Sequence, residues 1–393
     1  MSRPLDGVVV VSLEHAIAAP FCTRQLADMG ARVIKIERTQ SGDFARDYDE
    51  RAHGMSSHFV WTNRSKESLT LDLKQPAALD VLLKLIAKAD VLVQNLAPGA
   101  TARMGLDYET LQHSHPQLIV CDISGYGGNG PYRDKKAYDL LIQSEAAFLS
   151  VTGTEEEPCK AGNSIADIAA GMYAYSSILA ALLQRKNTHH GSHIDVSMLE
   201  SLSEWMGFPL YYAYEGQTPP TRQGASHATI YPYGPFEAGD GKTVMLGLQN
   251  EREWKQFCSK VLLNASLAQD PRFELNAKRS EHRAALKAII EQAFKSLTAQ
   301  QICARLDEAQ IANAQVNEVA DLWRHPQLLA RERFRTIASP VGSLSALLPP
   351  GVHSGFDYRM DPVPGVGEHT DEILRELGID PAGIEALRTS SAI

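Results

Sequence analysis

The order of apolar runs and amphipathic stretches in the first half of the chain predicts parallel strands covered by helices. Residues 8–13 form a nearly continuous apolar run, as expected for a strand buried on both faces. Shorter candidate strands follow at 33–36, 69–73, 91–93 and 118–123. This alternation of strand and helix patterns is typical of an α/β fold with Rossmann-like halves. No G-x-G-x-x-G follows the first strand, so a dinucleotide is not implied.

The helical patterns between these strands differ in length. A short one covers 20–29 and ends at Gly30, and an amphipathic one covers 77–89. A longer pattern begins near Ser164 and runs to about residue 185, with its apolar residues largely on one face. We therefore expect a long helix that buries one side.

Near residue 225 the pattern changes to a smaller α+β arrangement. Two β-rich runs flank Asp240-Gly241, a hairpin signal, and Thr298 with Gln301 forms a capping-box pattern. Helical patterns follow the hairpin at 251–262, 278–296 and 299–310. The predicted organisation is a large domain over 1–200, a linker over 201–224, a small domain over 225–325, and a return to the large domain over 326–393.

Composition narrows the functional classes. The 393 residues are 44% hydrophobic with a formal net charge of −9, which argues against a nucleic-acid partner. Five scattered cysteines without a CxxC pair fit a reducing compartment and suggest no metal site. We see no secretory signal and no membrane-length apolar segment, so we expect a cytoplasmic protein without a membrane partner.

Asp167 is the main candidate for chemistry. It lies three residues after Ser164, in the first turn of the predicted long helix, and points away from the apolar face. An acid at this position is commonly there only because the helix dipole favours it. In the functional alternative, the carboxylate stays ionised at neutral pH and acts as a nucleophile, while free N–H groups stabilise oxyanions.

Basic residues recur where predicted strands end. In open α/β sheets ligands bind at that edge, so these side chains could contact phosphates, although each alone is more typical of a solvated surface charge. They are Arg38, Lys74, Arg103 and Lys136. The glycine-rich segment 124–132 is either a loop that approaches a ligand closely or a flexible connection. His15, His193 and His227 are isolated, which is more typical of a core or surface histidine.

Several segments together resemble the class III CoA-transferases, the group of formyl-CoA transferase and carnitine CoA-transferase. They occur in family order along essentially the whole chain: LDGVVVVSLEHAIAAPFCTRQLADMGARVIKIERTQSGDFAR, NRSKESLTLDLK, VLVQNLAPGATARMG, SGYGGNGPY with KAYD, SIADIAAGM, HHGSHIDVSMLES, PYGPFEAGDG and PGVGEHTDEIL. The resemblance implies an interlocked homodimer, with a Rossmann-like large domain and a small inserted domain.

The resemblance also implies roles for individual residues. Asp167 matches the family nucleophile, which forms a mixed anhydride and then an aspartyl-CoA thioester, with coenzyme A as substrate and no tightly bound cofactor or metal. Positions that match family contacts to CoA are Ala16, Arg38, Leu71, Lys74, Asn95, Leu96, Arg103, Lys136, Tyr138 and Met198. Formyl-CoA transferases have Gln where this chain has Ile17, and a glycine-rich loop where it has GASHATIYPYG, which disfavours oxalate and formyl-CoA.

Within the family, SLEHAIAAPFCTRQLADMGARV and SGDFARDYDERAHGMSSHFVW resemble mesaconyl-CoA C1–C4 transferases and itaconate CoA-transferases. We therefore expect C4–C5 dicarboxylates, such as succinyl-CoA with itaconate, mesaconate, citramalate or malate, or an intramolecular C1–C4 transfer. Arg46 and His227 are candidates for binding the second carboxylate, with His15 lining the site. In the alternative, Arg46 forms a structural ion pair.

Two other functions remain open at this stage. The α-methylacyl-CoA racemases share the fold but have a proton-shuttling His where this chain has Tyr138, and a phenol is a poor shuttle at neutral pH. A non-catalytic CoA-binding homologue would have no need of Asp167.

Overall fold

The computed structural model describes residues 2–393, and the chain divides into two compact units. Unit 1 comprises Met1–Ala147, Ala161–Met206 and Leu329–Ile393. Unit 2 comprises Phe148–Lys160 and Gly207–Leu328. The segment 148–160 thus belongs to unit 2, whereas the sequence pattern had placed it inside the large domain.

The described residues contain eleven strands, which form three sheets. They are β1 (Val9–Leu13), β2 (Arg32–Glu37), β3 (Lys66–Thr70), β4 (Val91–Gln94), β5 (Ile119–Ser124), β6 (His193–Ser197), β7 (Tyr233–Glu237), β8 (Thr243–Gly247), β9 (Ala312–Gln315), β10 (Phe334–Ile337) and β11 (Leu344–Leu347).

Sixteen α-helices are present in the described residues. They are α1 (Ala18–Asp28), α2 (Ser57–Asn63), α3 (Pro76–Ile86), α4 (Ala100–Arg103), α5 (Tyr108–Leu111), α6 (Asp139–Glu145), α7 (Ile165–Thr188), α8 (Met198–Trp205), α9 (Gly207–Tyr212), α10 (Glu251–Gln256), α11 (Asn276–Glu281), α12 (Arg283–Phe294), α13 (Ala299–Glu308), α14 (Pro326–Ala330), α15 (Thr370–Glu376) and α16 (Pro381–Thr389).

The central sheet of unit 1 confirms the predicted α/β class. Its six strands run in the order β3-β2-β1-β4-β5-β6, and all neighbouring pairs are parallel. The chain builds the sheet outward in one direction from β1 to β3 and in the other from β4 to β6. This reversal leaves a crevice at the carboxyl ends of β1 and β4, where ligands of such sheets bind.

Helix α7 packs directly against α1 in unit 1. A Cβ atom at Gly171 would lie 2.7 Å from the carbonyl oxygen of Ala18, so glycine permits this close approach. By length and composition alone, α7 could span a membrane, contrary to the expectation that the chain has no membrane-length apolar segment. Core helices can have the same length and composition, and α7 buries residues such as Ala170, Ala174 and Ile178 in unit 1.

Two strands of unit 1 differ from the predicted pattern. β3 begins at Lys66 rather than at residue 69, because its polar residues are buried and paired: Lys66 Nζ donates to Glu14 at 2.6 Å, and Ser68 Oγ donates to Glu37 at 2.6 Å. β6 lacks a continuous apolar run because it is an edge strand with alternating exposed residues, and the sequence pattern did not identify it.

Unit 2 contains the antiparallel sheet β7-β8-β9. The hairpin predicted around Asp240-Gly241 is confirmed, and Gly241 adopts the left-handed conformation that the turn needs, with φ +75°. The capping box of Thr298 and Gln301 is also confirmed at the start of α13. Buried aromatic residues, including Phe236, Trp254 and Phe257, form the core of this unit.

Candidate active site

A cavity of about 790 Å³ opens at the carboxyl edge of the central sheet in unit 1. The loops after β1, β2, β3 and β4 contribute its walls, so it lies at the crevice that the strand order creates. It brings together six residues that the sequence analysis singled out: His15, Arg38, Leu71, Lys74, Leu96 and Arg103.

Three of these residues make the cavity suitable for an anion. Arg38, Lys74 and Arg103 form no salt bridge with any residue in the described range 2–393. Four acidic side chains lie in the same walls: Glu14, Glu37 and Asp43 are paired with other cations, whereas Asp72 forms no salt bridge within residues 2–393. Unpaired Arg and Lys side chains at such an edge are the groups that bind phosphates.

Asn95 fixes the turn that follows β1. Its Oδ1 accepts from the backbone N–H of His15 at 3.0 Å, and its Nδ2 donates to the His15 carbonyl at 2.9 Å. The His15 ring packs on Phe44, with centroids 5.0 Å apart. Burial lowers the pKa of His15, which favours the neutral imidazole. His15 therefore supplies an oriented, uncharged wall to the cavity.

A fully paired set of buried charges, whose three acids lie in the cavity walls, forms what we call the buried ion network. It comprises Glu14, Lys35, Glu37, Asp43, Arg46 and Lys66. Lys35 Nζ lies 2.8 Å from Asp43 and 3.4 Å from Glu14, and Lys66 Nζ lies 2.6 Å from Glu14. The network joins the residue after β1 to β2, to the loop after β2 and to the first residue of β3.

Arg46 forms a structural ion pair, which is the alternative to a role in substrate binding. Its Nε and Nη2 donate to the two carboxylate oxygens of Glu37 at 2.9 and 2.7 Å, and Nη1 donates to the Pro364 carbonyl. The guanidinium also lies 3.7 Å from the Phe59 ring centroid. Burial raises the pKa of Glu37, but the Arg46 bonds and Lys35 outweigh this effect and lower it to about 2, so the pair stays charged.

Asp167 lies in the first turn of α7, half-buried rather than on an open polar face. Burial raises the pKa of its carboxyl to about 7, and the negative charge of Asp139 adds to the effect. Near pH 7 this carboxyl is therefore only partly ionised, whereas the helix N-terminus alone predicts full ionisation. The loss of hydration and the neighbouring acid outweigh the helix dipole.

Asp139, the first residue of α6, places its side chain against the N-terminus of α7. Its Oδ1 accepts from the backbone N–H of Ala166 at 2.7 Å and from that of Asp167 at 3.4 Å, and its Oδ2 accepts from Gln143 at 2.6 Å. These N–H groups are thus engaged, contrary to the expectation that they are free to stabilise an oxyanion. The signal for Asp139 lay in the KAYD segment, but nothing local tied it to α7.

An aromatic row extends from the cavity toward Asp167. The rings of His15, Phe44 and Tyr48 follow one another with centroid separations of 5.0 and 5.7 Å. Burial raises the pKa of Tyr48, and the negative charges of Asp43 and then Asp167 raise it further. Sequence reasoning missed Tyr48, because an exposed-looking Tyr in a charged segment gives no separate signal.

The remaining predicted CoA contacts lie outside the cavity walls. Lys136 is exposed before α6, and Tyr138 is the N-cap of α6 with 71% of its surface exposed. Met198 is buried at the start of α8. Ile17 is buried at the N-cap of α1, and Ala16 next to it has a positive φ of +62°.

His227 belongs to unit 2, where the backbone fixes its ring. Nδ1 accepts from the N–H groups of Thr229 at 3.2 Å and Ile230 at 3.1 Å, so the neutral ring has its proton on Nε2. The ring stacks on Tyr233 with centroids 5.3 Å apart. His227 therefore presents an oriented Nε2–H donor.

Comparison with known proteins identifies the family of this chain. A family model described as CoA-transferase family III matches residues 5–370. The chain is 33% identical to succinyl-CoA:glutarate CoA-transferase of Mus musculus, over 100% of this chain and 90% of that protein. It is 31% identical to succinyl-CoA:mesaconate CoA-transferase of Haloarcula marismortui, over 96% and 97%.

A crystal structure of a CAIB/BAIF family protein from Brucella suis superposes with a TM-score of 0.85 and 33% identity, covering 96% of this chain and all of that one. The family expected from the sequence motifs is confirmed. The chain belongs to CoA-transferase family III and is an enzyme that transfers coenzyme A between acyl-CoA and a carboxylic acid.

Proposed function

We propose that this enzyme transfers CoA between C4–C5 dicarboxylic acids through an aspartyl-CoA thioester on Asp167. The observation that supports this most is a half-buried carboxylate with a pKa raised to about 7, in the same unit as a cavity with three unpaired cations. A carboxylate that loses hydration on burial is a stronger nucleophile than one in water.

In this proposal the cavity binds the nucleotide part of CoA. Arg38, Lys74 and Arg103 contact its phosphates, and Leu71 and Leu96 flank the adenine or pantetheine. The pantetheine arm follows the aromatic row from His15 to Tyr48 toward Asp167. Asn95 contributes by clamping the His15 backbone, and Ala16, Lys136, Tyr138 and Met198 remain candidates for contacts outside the cavity.

The proposed reaction exchanges one covalent bond at a time. The Asp167 carboxylate attacks the donor thioester carbonyl, forming a mixed anhydride and releasing CoA thiolate. The thiolate attacks the aspartyl carbonyl and displaces the donor acid. The acceptor carboxylate then attacks the aspartyl thioester and releases the thiolate. The thiolate finally attacks the acceptor carbonyl, giving product acyl-CoA and free Asp167.

The acid pair is inferred from relatives. Several curated relatives are named for succinyl-CoA with glutarate, mesaconate or citramalate, and one is named for acetyl-CoA with oxalate; all four acids are dicarboxylates. We therefore propose succinyl-CoA as donor with glutarate, mesaconate or citramalate as acceptor. Itaconate, malate and an intramolecular C1–C4 transfer on mesaconyl-CoA are proposed from the sequence resemblance alone. Turnover of succinyl-CoA with each acid tests this, and activity with monocarboxylates only would contradict it.

His227 is the proposed donor to the remote carboxylate, since Arg46 is already engaged by Glu37. A hydrogen bond to a charged group contributes about 1.5–3 kcal/mol, so His227→Ala should lower kcat/KM for a dicarboxylate by about tenfold or more. A monocarboxylate of similar length should lose much less. Equal losses for both acids would contradict the assignment.

We also propose an interlocked homodimer. Unit 2 exposes a run of large apolar residues over 207–216, including Phe208, Leu210, Tyr211 and Tyr214, with exposed fractions from 57% to 80%. A concentration of exposed aromatic residues of this kind is typical of an interface. Sedimentation analysis should show a dimer, and a monomer that retains full activity would contradict this proposal.

A further inference from the structure

We propose that Asp43 is a positioning residue for the transfer reaction, because it holds Ala16 in a strained conformation and thereby sets the turn between β1 and α1. This inference rests on the proposed function, since its expected effects are on acyl-CoA use. Asp43 lies in the cavity wall, but within residues 2–393 it forms no hydrogen bond or salt bridge with Asp167, Arg38, Lys74 or Arg103.

Ala16 has a backbone conformation that its side chain disfavours. Its φ of +62° lies in the left-handed region, which glycine enters readily and a residue with a Cβ atom enters at a cost. β1 ends at Leu13 and α1 begins at Ala18, so Ala16 is the point at which the chain reverses from strand to helix. Something outside the turn must therefore stabilise it.

Asp43 provides that stabilisation from a buried position. Its Oδ1 accepts from the backbone N–H of Ala16 at 3.2 Å and of Ala45 at 2.9 Å. Its Oδ2 accepts from Lys35 Nζ at 2.8 Å, and its own N–H donates to Glu37 Oε1 at 2.8 Å. Asp43 is only 3% exposed. The Asp43 residue therefore links the Ala16 turn by hydrogen bonds to Lys35 and Glu37 of β2.

The turn that Asp43 holds lies between the cavity and the helix of Asp167. On one side of Ala16, His15 lines the cavity and packs on Phe44. On the other side, the carbonyl oxygen of Ala18 meets α7 at Gly171, one helical turn after Asp167. A shift of this turn would move the bound thioester relative to the nucleophile, and errors of about 1 Å can lower rates about 100-fold.

The buried ion network makes a specific variant necessary. Three acids (Glu14, Glu37 and Asp43) face three bases (Lys35, Arg46 and Lys66), so removing one acid leaves an uncompensated buried cation. Asp43→Asn would keep one acceptor oxygen, which can still accept from the Ala16 N–H, so Asp43→Ala is the variant that removes this contact. The double variant Asp43→Ala/Lys35→Met restores the balance of charge and still lacks an acceptor for Ala16.

The central experiment is a rescue. We expect Asp43→Ala and Asp43→Ala/Lys35→Met each to lower kcat/KM for acyl-CoA about 100-fold. Adding Ala16→Gly to either should recover at least about tenfold, because glycine adopts the positive φ without help. Ala147 has a similar φ of +59° elsewhere in unit 1. Adding Ala147→Gly instead should recover nothing.

Melting temperatures of all these variants separate positioning from stability. Asp43 is not a positioning residue if Ala16→Gly restores no activity or if Ala147→Gly restores as much as Ala16→Gly does. The same conclusion follows if the activity of the variants simply tracks their melting temperature. If both Asp43 variants fail to fold, the comparison is Ala16→Val against Ala147→Val. The first should raise KM for acyl-CoA and lower kcat, and the second should do neither; equal effects would overturn the proposal.

Calorimetry with free CoA distinguishes this inference from the proposed function. If wild type neither binds CoA nor turns over succinyl-CoA, the proposed function fails. If wild type does both and the Asp43 variants match it within about threefold, only the positioning role fails.

Discussion

Two acidic regions of unit 1 have opposite electrostatics. In the buried ion network, each of Glu14, Glu37 and Asp43 has a cation within hydrogen-bonding distance. At the start of α7, Asp167 and Asp139 face each other as like charges, and no salt bridge to Asp167 exists within residues 2–393. Glu37 therefore has a pKa lowered to about 2, whereas Asp167 has one raised to about 7.

The difference follows from the counter-charge rather than from burial alone. Both acids lose water, and burial alone raises both pKa values. Arg46 and Lys35 reverse that effect at Glu37, and nothing reverses it at Asp167. Paired acids stabilise the fold, while the unpaired acid retains its capacity to react. The predictions below test this contrast.

The largest expected effect is the loss of transfer in Asp167→Ala. Removing a covalent nucleophile should lower kcat by at least about 10⁴-fold. The variant should stay folded, because the Asp139 side chain, and not that of Asp167, accepts the hydrogen bonds from the first N–H groups of α7. Steady-state kinetics with succinyl-CoA and circular dichroism give both readouts, and turnover within about tenfold of wild type would contradict the covalent role.

Breaking the buried ion network should instead affect stability. Lys66→Met leaves Glu14 with the more distant Lys35, and such losses cost about 3–5 kcal/mol. Adding Glu14→Gln should recover part of this loss, because one acid and one base have then been removed together. Urea unfolding of the three proteins measures the coupling. Strictly additive losses would mean that the pair is not a coupled unit.

The pH dependence of turnover should report the unpaired acid. Because the ionised form of Asp167 reacts, kcat/KM should rise with pH and level off above an apparent pKa near 7. Asp139→Asn removes the neighbouring negative charge and should therefore move the rise in kcat/KM to lower pH. Because burial is the larger cause of the raised Asp167 pKa, the apparent pKa of the variant should stay above the ordinary range for an Asp.

Asp371→Asn is the control for that experiment, since it removes one negative charge from α15 at the surface of unit 1. Its pH profile should match wild type. Identical shifts in both variants would point to the overall charge of the protein instead of the charge at Asp139.

The smallest expected effect is a gain in stability from Asp167→Asn. The folded pKa of about 7 lies above the ordinary value of 3.8, so the folded state binds more protons between these pH values. Stability should thus fall as pH rises through this window, with the full penalty above pH 7. The variant avoids this penalty and should melt at least about 2 °C higher than wild type at pH 8. At pH 3 the two proteins should melt together, and a difference that is independent of pH would contradict the explanation.

The parallel sheet could be predicted because β1, β2, β4 and β5 are mainly apolar. Successive side chains of each strand point to opposite faces of the sheet, and nearly all of them are buried. The predicted β3 begins three residues too late, at residue 69 instead of Lys66. Lys66 and Ser68 are polar but can be buried because they hydrogen-bond to Glu14 and Glu37, which are distant in sequence. The pattern over 278–296 similarly hid a break at His282, where α11 ends and α12 begins.

For the site, sequence reasoning identified Asp167 and the basic residues at the strand ends, since both signals are local. It could not choose between the two roles of Arg46, because the deciding partner, Glu37, lies nine residues earlier at the end of β2, and only the folded loop brings the two side chains together. Asp139 and Asp43 were missed for the same reason. Their hydrogen bonds reach Ala166 and Ala16, which are 27 residues away in each case.

The most direct test of the central claim is to trap the covalent intermediate. Wild-type enzyme is incubated with succinyl-CoA, treated with hydroxylamine, digested and mapped by mass spectrometry. We predict inactivation that depends on succinyl-CoA, with a hydroxamate on the peptide that contains Asp167 and no such product in Asp167→Asn. A hydroxamate on another residue, or full activity after hydroxylamine treatment, would contradict the account.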